Sequence, residues 1–225
     1  MKYSNVVVAG GGVLGSQIAF QAAYCGFNVT IWLRSEGSIG RTQPKIDHLK
    51  QTYIEAIEKM AEDKNVWCAG LADEDTFDKE ECLKKVENAY TNLKDMAKAV
   101  ADADLVIESM AENEKDKIAF YEKLSPLLPE KTVIVTNSST LPSMFAKYTG
   151  RPDKYLSLHF ANSIWKNNTA EVMTQAQTDE KYFDEVMQFA NDIRMIGLPV
   201  RKEKSGYLLN SMLVPFLLSG LDLYA

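Results

Sequence analysis

The chain has 225 residues, 46% apolar and 25% charged, a balance that suits a soluble globular protein with a sizeable core. A net charge of -6 provides no basic footprint for nucleic acid and no polybasic contact for a membrane surface. Three scattered cysteines, Cys25, Cys68 and Cys82, show no metal-ligand spacing and no disulfide framework, which fits a reducing, cytoplasmic setting.

Tyr3 to Ala9 is an apolar run that predicts a strand and leaves no room before it for a signal sequence. Val13 to Tyr24 has helical spacing and stops at Gly26, and Asn28 to Leu33 predicts a second strand. Pro44 suits an early helical position, ahead of the spacing Ile46, Leu49, Tyr53, Ile57 and Met60. The charged stretch from Asp63 to Glu87 reads as a surface excursion with a short helix near Lys79 to Lys85. A strand from Val86 to Tyr90 and a helix from Leu93 to Val100 lead into the strand DLVIES, and a helix from Asn113 to Leu128 leads into TVIVTNSS. YLSLHF and TAEVM are further strands, Asp179 to Met195 is a helix closed by Gly197, and PVRK is an edge strand. The last tract, GYLLNSMLVPFLLSGLDLYA, is broken by Asn210, Ser211, Pro215 and Asp222 and reads as a buried helix rather than a membrane span. Such alternation predicts an α/β fold: a doubly wound, mainly parallel sheet with helices on both faces.

Gly10, Gly12 and Gly15 satisfy G-x-G-x-x-G between the first strand and the first helix, the Rossmann-type arrangement. Gly10 permits the tight turn, Gly12 lets the backbone approach a pyrophosphate, and Gly15 lets helix and strand pack closely. The free N–H groups that open the helix attract phosphate charge. Gly10, Gly12, Leu14 and Gly15 are therefore the expected cofactor contacts on this loop. In NAD-binding loops an acidic residue ends the second strand and bonds the adenine ribose. Here Leu33 occupies that place and Arg34 and Ser35 follow, so a 2'-phosphate meets no repulsion there and can pair with Arg34. NADP(H) is expected over NAD(H); the competing arrangement stacks Arg34 on the adenine and gives the ribose to Glu36.

Three later stretches carry chemistry: VIESMAENEKDK, TNSSTL and LHFANSIWKNNTAEV, the last with His159 and Glu171 twelve residues apart. Together with SGYLLNSMLVPFL around Asn210 they resemble the 3-hydroxyacyl-CoA dehydrogenase family in order, spacing and context. The resemblance spans essentially the whole chain, strongest from Ala103 to Leu218 and at the glycine loop, weakest from Ser35 to Asn88. It implies that His159 is the general base that removes the 3-hydroxyl proton as hydride leaves C3, work suited to an imidazole. It implies that Glu171 holds that imidazole and stabilises its protonated form. Ser139 would hydrogen-bond the substrate oxygen, and Asn210 would position the thioacyl group and polarise the reacting carbonyl. Glu112, Lys117 and Asn162 match family positions beside the nicotinamide half of the cofactor. Ser139 as a helix cap, Glu112 as a dipole-stabilised acid and Asn210 as a structural amide are the plainer alternatives.

The resemblance further implies a short-chain acyl-CoA substrate, no metal, and a homodimer. The dinucleotide-binding domain would cover residues 1–203, with 204–225 as the first helix of an all-helical C-terminal domain continuing beyond this segment. That helix would leave Leu213, Phe216, Leu217 and Leu221 uncovered unless something packs on them. Departures fall near the site. Ser163 stands where the family has proline in H-F-x-N-P, Ser205 and Tyr207 replace proline and phenylalanine of P-G-F, and Ser211 replaces an arginine. Lys45, Lys50 and Lys59 are the candidates for CoA phosphates. One rival reading keeps the His–Glu pair for a non-CoA hydroxy acid, such as a sugar acid or carnitine, with Lys166 pairing its carboxylate. Another is a nucleotide-binding descendant without turnover.

Overall fold

The computed structural model describes residues 2–89, 91–94 and 96–224, with the side chains of Glu36, 91–94 and Ala97 set aside. Eight strands form one sheet in the order β3-β2-β1-β4-β5-β6-β7-β8. They are β1 (Asn5–Ala9), β2 (Asn28–Trp32), β3 (Thr91–Lys94), β4 (Leu105–Glu108), β5 (Val133–Thr136), β6 (Tyr155–Phe160), β7 (Thr169–Met173) and β8 (Ile196–Val200). All neighbouring pairs are parallel except β6 and β7. The helices are α1 (Val13–Tyr24), α2 (Glu36–Glu62), α3 (Lys79–Asn88), α4 (Met96–Val100), α5 (Glu114–Leu124), α6 (Glu180–Asp192) and α7 (Leu209–Tyr224).

The central strands are apolar on both sides, so the sheet carries a core on each face. Val6, Val8, Leu105 and Ile107 pack with α1, α2 and α6 on one face, while Val7, Ala9, Val106 and Ile134 pack with Phe120, Tyr121 and Leu124 of α5 on the other. Each such fully buried side chain contributes about 1.5–3 kcal/mol relative to exposure. At the C-terminus of α1, Gly26 takes φ +92° while its N–H and that of Phe27 bond Ala23 O and Ala22 O, which closes the helix and aims the chain into β2. At the start of α5, Asn113 accepts from Asp116 N, and Glu114 and Asp116 lie at the positive end of the helix dipole. β1 is hydrogen-bonded to β2 on one side and β4 on the other, which makes their carboxyl ends the switch point where doubly wound sheets hold ligands.

Several boundaries differ from the sequence reading. Helix α2 begins at Glu36, so Pro44 lies inside it; Ser35 takes an extended conformation and starts the helix without a side-chain cap. The chain is still helical at Val86 to Asn88, and the edge strand begins at Thr91, while Tyr90 and Asp95 lie outside the described residues. Helix α6 stops at Asp192 because Arg194, not Gly197, takes the left-handed turn (φ +65°), with Met195 N bonding Ala190 O. Gly197 is then free to enter β8, which starts at Ile196 and includes only the first half of PVRK. The last helix was expected to be buried, yet none of its residues is. Leu213, Phe216, Leu217 and Leu221 are 50–75% exposed, because no element of this chain covers them among the described residues. Among those residues no helix is long and apolar enough to cross a membrane.

Candidate active site at the carboxyl edge of the sheet

The glycine loop sits between the ends of β1 and β4. A Cβ at Gly10 (φ +126°) would lie 2.3 Å from Ser109 O, and one at Gly15 would lie 2.3 Å from Gly10 O. Both positions therefore require glycine for packing. Gly12 is different: a Cβ there would meet nothing within 4 Å, although the residue opens α1. Its bareness leaves room for a group that approaches from outside the chain, and the open helix terminus favours an anion there. Gly11, which the motif does not require, is crowded by Thr42 and Leu33. The cleft beside this loop has a volume of about 310 Å³ and is lined by Trp32, Leu33, Arg34, Ser38, Arg41 and Met110, among others. The residues thus fit a dinucleotide.

The second strand ends at Trp32, so Leu33 and Arg34 turn into this cleft. Arg34 is held only weakly, 3.5 Å from Asp116, with both side chains at least half exposed. Arg41 donates to Ser38 Oγ at 2.9 Å, and Ser35 Oγ lies 3.0 Å from it. Lys45 also lines the cleft, but its Nζ is committed to Gly11 O at 2.8 Å. Sequence reasoning missed Arg41 and Ser38 because it started the helix at Pro44; a helix beginning at Glu36 brings both back over the nucleotide cleft. The side chain of Glu36 lies outside the described residues.

The antiparallel register of β6 and β7 sets His159 directly opposite Glu171. Glu171 is fully buried, and its Oε2 lies 3.0 Å from His159 Nδ1. Its Oε1 accepts Leu208 N at 2.7 Å and Leu209 N at 2.9 Å, both from the start of α7. Burial pushes its pKa up, but the bonds from His159, Leu209 and Leu208 outweigh that and hold the carboxyl below the usual range. Tyr207, at φ +51°, stacks on the imidazole with ring centroids 4.5 Å apart and donates its hydroxyl to Ser138 O at 2.7 Å. Burial pushes the Tyr207 hydroxyl well up, so it remains a neutral donor. The imidazole is thereby fixed in plane by one neighbour and in tautomer by another, with no hydrogen bond to Nε2 among the described residues.

His159 opens on a second cavity of about 830 Å³, lined by Leu14, Asn162, Asn167, Thr169, Asn210, Met212, Leu213 and Phe216 among others. Asn162 and Asn210 thus share a cavity with His159. Leu14 faces this cavity rather than the cleft beside Gly12. Ser139 is exposed and does not line it; its N–H donates to Glu112 Oε1 at 3.3 Å. Lys166 is exposed and does not line the cavity, whereas its neighbour Asn167, also exposed, does. Lys50 and Lys59 are exposed on α2.

Lys117 belongs to a buried network built on Glu108, which the sequence reading overlooked, and the half-exposed Glu112 borders it. Glu108, fully buried at the end of β4, accepts Met110 N at 2.7 Å, Lys117 Nζ at 3.0 Å, Tyr121 OH at 3.1 Å and Thr136 Oγ1 at 2.6 Å. Lys117 also lies 3.2 Å from Glu112, whose two oxygens accept Ser138 Oγ at 2.9 and 2.7 Å. Burial raises the Glu112 pKa, yet the bonds from Ser138, Lys117 and Ser139 bring it below the usual range. No sequence signal singled out Glu108 beyond its place in DLVIES.

A family model described as "3-hydroxyacyl-CoA dehydrogenase, NAD binding domain" matches residues 5–204. Human mitochondrial hydroxyacyl-coenzyme A dehydrogenase is 28% identical over 98% of this chain, which spans 66% of that protein's length. A 3-hydroxybutyryl-CoA dehydrogenase of Clostridioides difficile is 29% identical over 98% of the chain and 72% of its own. Among solved structures, a diketoreductase studied for dual catalysis of dicarbonyl compounds is 42% identical with a TM-score of 0.79, covering 100% of this chain and 73% of that one.

Proposed function

Because the chain belongs to the 3-hydroxyacyl-CoA dehydrogenase NAD-binding family, we propose that it moves hydride between a nicotinamide cofactor and C3 of a short-chain 3-hydroxyacyl-CoA, giving the 3-oxoacyl-CoA. The observation that carries this reading is the buried Glu171 clamped on His159 Nδ1 at the mouth of an apolar cavity. When bound, the nicotinamide supplies the acceptor for the hydride. Everything else falls to side chains of this chain. Nδ1 keeps its proton against Glu171, so Nε2 is the nitrogen that takes the substrate hydroxyl proton, and the ionised carboxylate stabilises the imidazolium that results. Asn210 donates toward the reacting oxygen and Asn162 and Glu112 lie toward the nicotinamide half, while Ser139 would have to turn inward to reach the substrate. The nucleotide backbone rests on Gly10, Gly12 and Gly15.

NADP(H) is the preferred cofactor in this reading. Support comes from Arg34 and Arg41 at the adenine end and from Leu33 where a ribose-binding acid would stand. Residues 1–203 form the nucleotide domain and 204–225 begin a helical domain, whose uncovered apolar side favours pairing into a homodimer. Three free cysteines favour the cytosol.

A second reading replaces the thioester by a free dicarbonyl compound, favoured by the 42% identical diketoreductase. A 3-oxoacyl thioester is itself a 1,3-dicarbonyl, so one site chemistry serves both. Lys166, facing solvent, offers nothing to a sugar acid or carnitine carboxylate. Initial rates of NADPH and NADH oxidation with acetoacetyl-CoA and with pentane-2,4-dione decide among these readings. No turnover of either compound removes both.

A further inference from the structure

The loop between β6 and β7 departs from its family pattern at Ser163, and its backbone shows why. Ser163 has φ +58°, a value proline cannot reach because its ring locks φ near -65°. The turn is held from several sides. Ser163 N donates to Gln17 Oε1 at 2.9 Å, Ser163 O accepts Lys166 N and Asn167 N at 2.9 and 2.8 Å, and Ile164 is fully buried. Trp165 packs on Tyr53 with centroids 5.6 Å apart, and its carbonyl accepts Gly70 N at 3.1 Å. A Cβ at Gly70 would strike the Trp165 backbone at 2.7 Å. The outcome is that Asn167 returns to the His159 cavity, with its Nδ2 anchored on Asn162 O at 2.8 Å. Asn167 stays exposed at the rim of this cavity, and among the described residues its second N–H and its amide oxygen make no hydrogen bond.

We propose that Asn167, carried into the His159 cavity by the left-handed turn at Ser163, donates a hydrogen bond to the unreduced carbonyl oxygen of a 1,3-dicarbonyl substrate. It is a specificity-determining residue: His159 and Asn210 attend the oxygen that changes, Asn167 the one that does not. The inference rests on the dicarbonyl reading of the site. An analogue that lacks this oxygen cannot accept the bond, so the difference between the two ligands reports on Asn167.

The test compares acetoacetyl-CoA with S-(3-oxobutyl)-CoA, a thioether that keeps the ketone and lacks the second carbonyl. Asn167→Leu is expected to lower kcat/KM for acetoacetyl-CoA about tenfold and weaken its calorimetric Kd to match, the size of one neutral hydrogen bond. The thioether should change less than threefold. Ser163→Gly, which tolerates positive φ, should behave as wild type, and Ser163→Pro should reproduce the loss. Equal losses for both ligands in Asn167→Leu, or none for either, overturn the role of Asn167 while wild-type turnover leaves the function standing. Failure of the wild-type chain to bind or reduce acetoacetyl-CoA and pentane-2,4-dione overturns the function and this inference together.

Discussion

Exchanging Glu171 for Gln changes one atom and tests the whole site. Glu171 Oε1 receives two backbone N–H groups, from Leu208 and Leu209, so the amide oxygen of Gln must stay there. The new NH2 then faces His159 Nδ1, which has to become an acceptor, and the ring proton moves to Nε2. That nitrogen can no longer take a proton from the substrate. Amidation of a buried acid that orients a catalytic imidazole costs up to about 10⁴ in rate, and general-base catalysis alone is worth about 10²–10⁴. The expected loss in kcat is therefore on the order of a thousandfold, or about 4 kcal/mol of transition-state stabilisation. Initial rates of NADPH oxidation with acetoacetyl-CoA measure it, with circular dichroism to verify the fold. Glu171→Gln activity within threefold of wild type would refute the dyad. The same variant reports on acid stability. Glu171 ionises below the usual carboxylate value in the folded chain, so its charge stabilises the fold above that usual value. The contribution is lost as pH falls through the depressed value, and urea titrations of the variant should lack this acid-side decline.

Arg34→Glu should reduce affinity for NADPH at least tenfold and leave NADH much less affected, read by calorimetry; a wild-type preference for NADH would sink the adenine-end argument. Gly15→Ala forces a Cβ against Gly10 O and should lower Tm by several degrees, whereas Gly12→Ala should hold Tm and weaken nucleotide binding at least tenfold. Equal thermal losses in the two would deny that the open face at Gly12 is a ligand face. Lys117→Met leaves Glu108 buried and without its ammonium, a loss of about 3–5 kcal/mol by urea unfolding, and stability within 1 kcal/mol of wild type would contradict the network.

The alternation of apolar runs and helical spacing was enough to read the α/β sheet, because buried parallel strands need apolar residues on both faces. The glycine loop was legible for the same reason: Gly10 and Gly15 cannot carry a Cβ, and sequence displays that directly. His159 and Glu171 could be paired because LHFANSIWKNNTAEV resembles the family motif that carries both. Other features depend on tertiary contacts. A glutamate ending a strand looks like a surface residue until Lys117, Tyr121 and Thr136 are seen converging on Glu108. Positive φ at Ser163, Arg194 and Tyr207 has no glycine to announce it. Pro44 drew the helix start forward because proline fits a first turn, yet its missing N–H is tolerated inside α2. Tyr207 was noticed only as a departure from phenylalanine, and its hydroxyl proves to tie the imidazole's stacking partner to Ser138.

Two of the three donors that keep Glu171 charged come from beyond residue 204, where the chain leaves the sheet for its last helix. The proton economy of the imidazole is thus moored to the same segment that brings Tyr207 and Asn210 to the site. A nick between Lys204 and Leu208 would leave every named catalytic side chain chemically intact and still disarm the base, since its carboxylate would lose its footing.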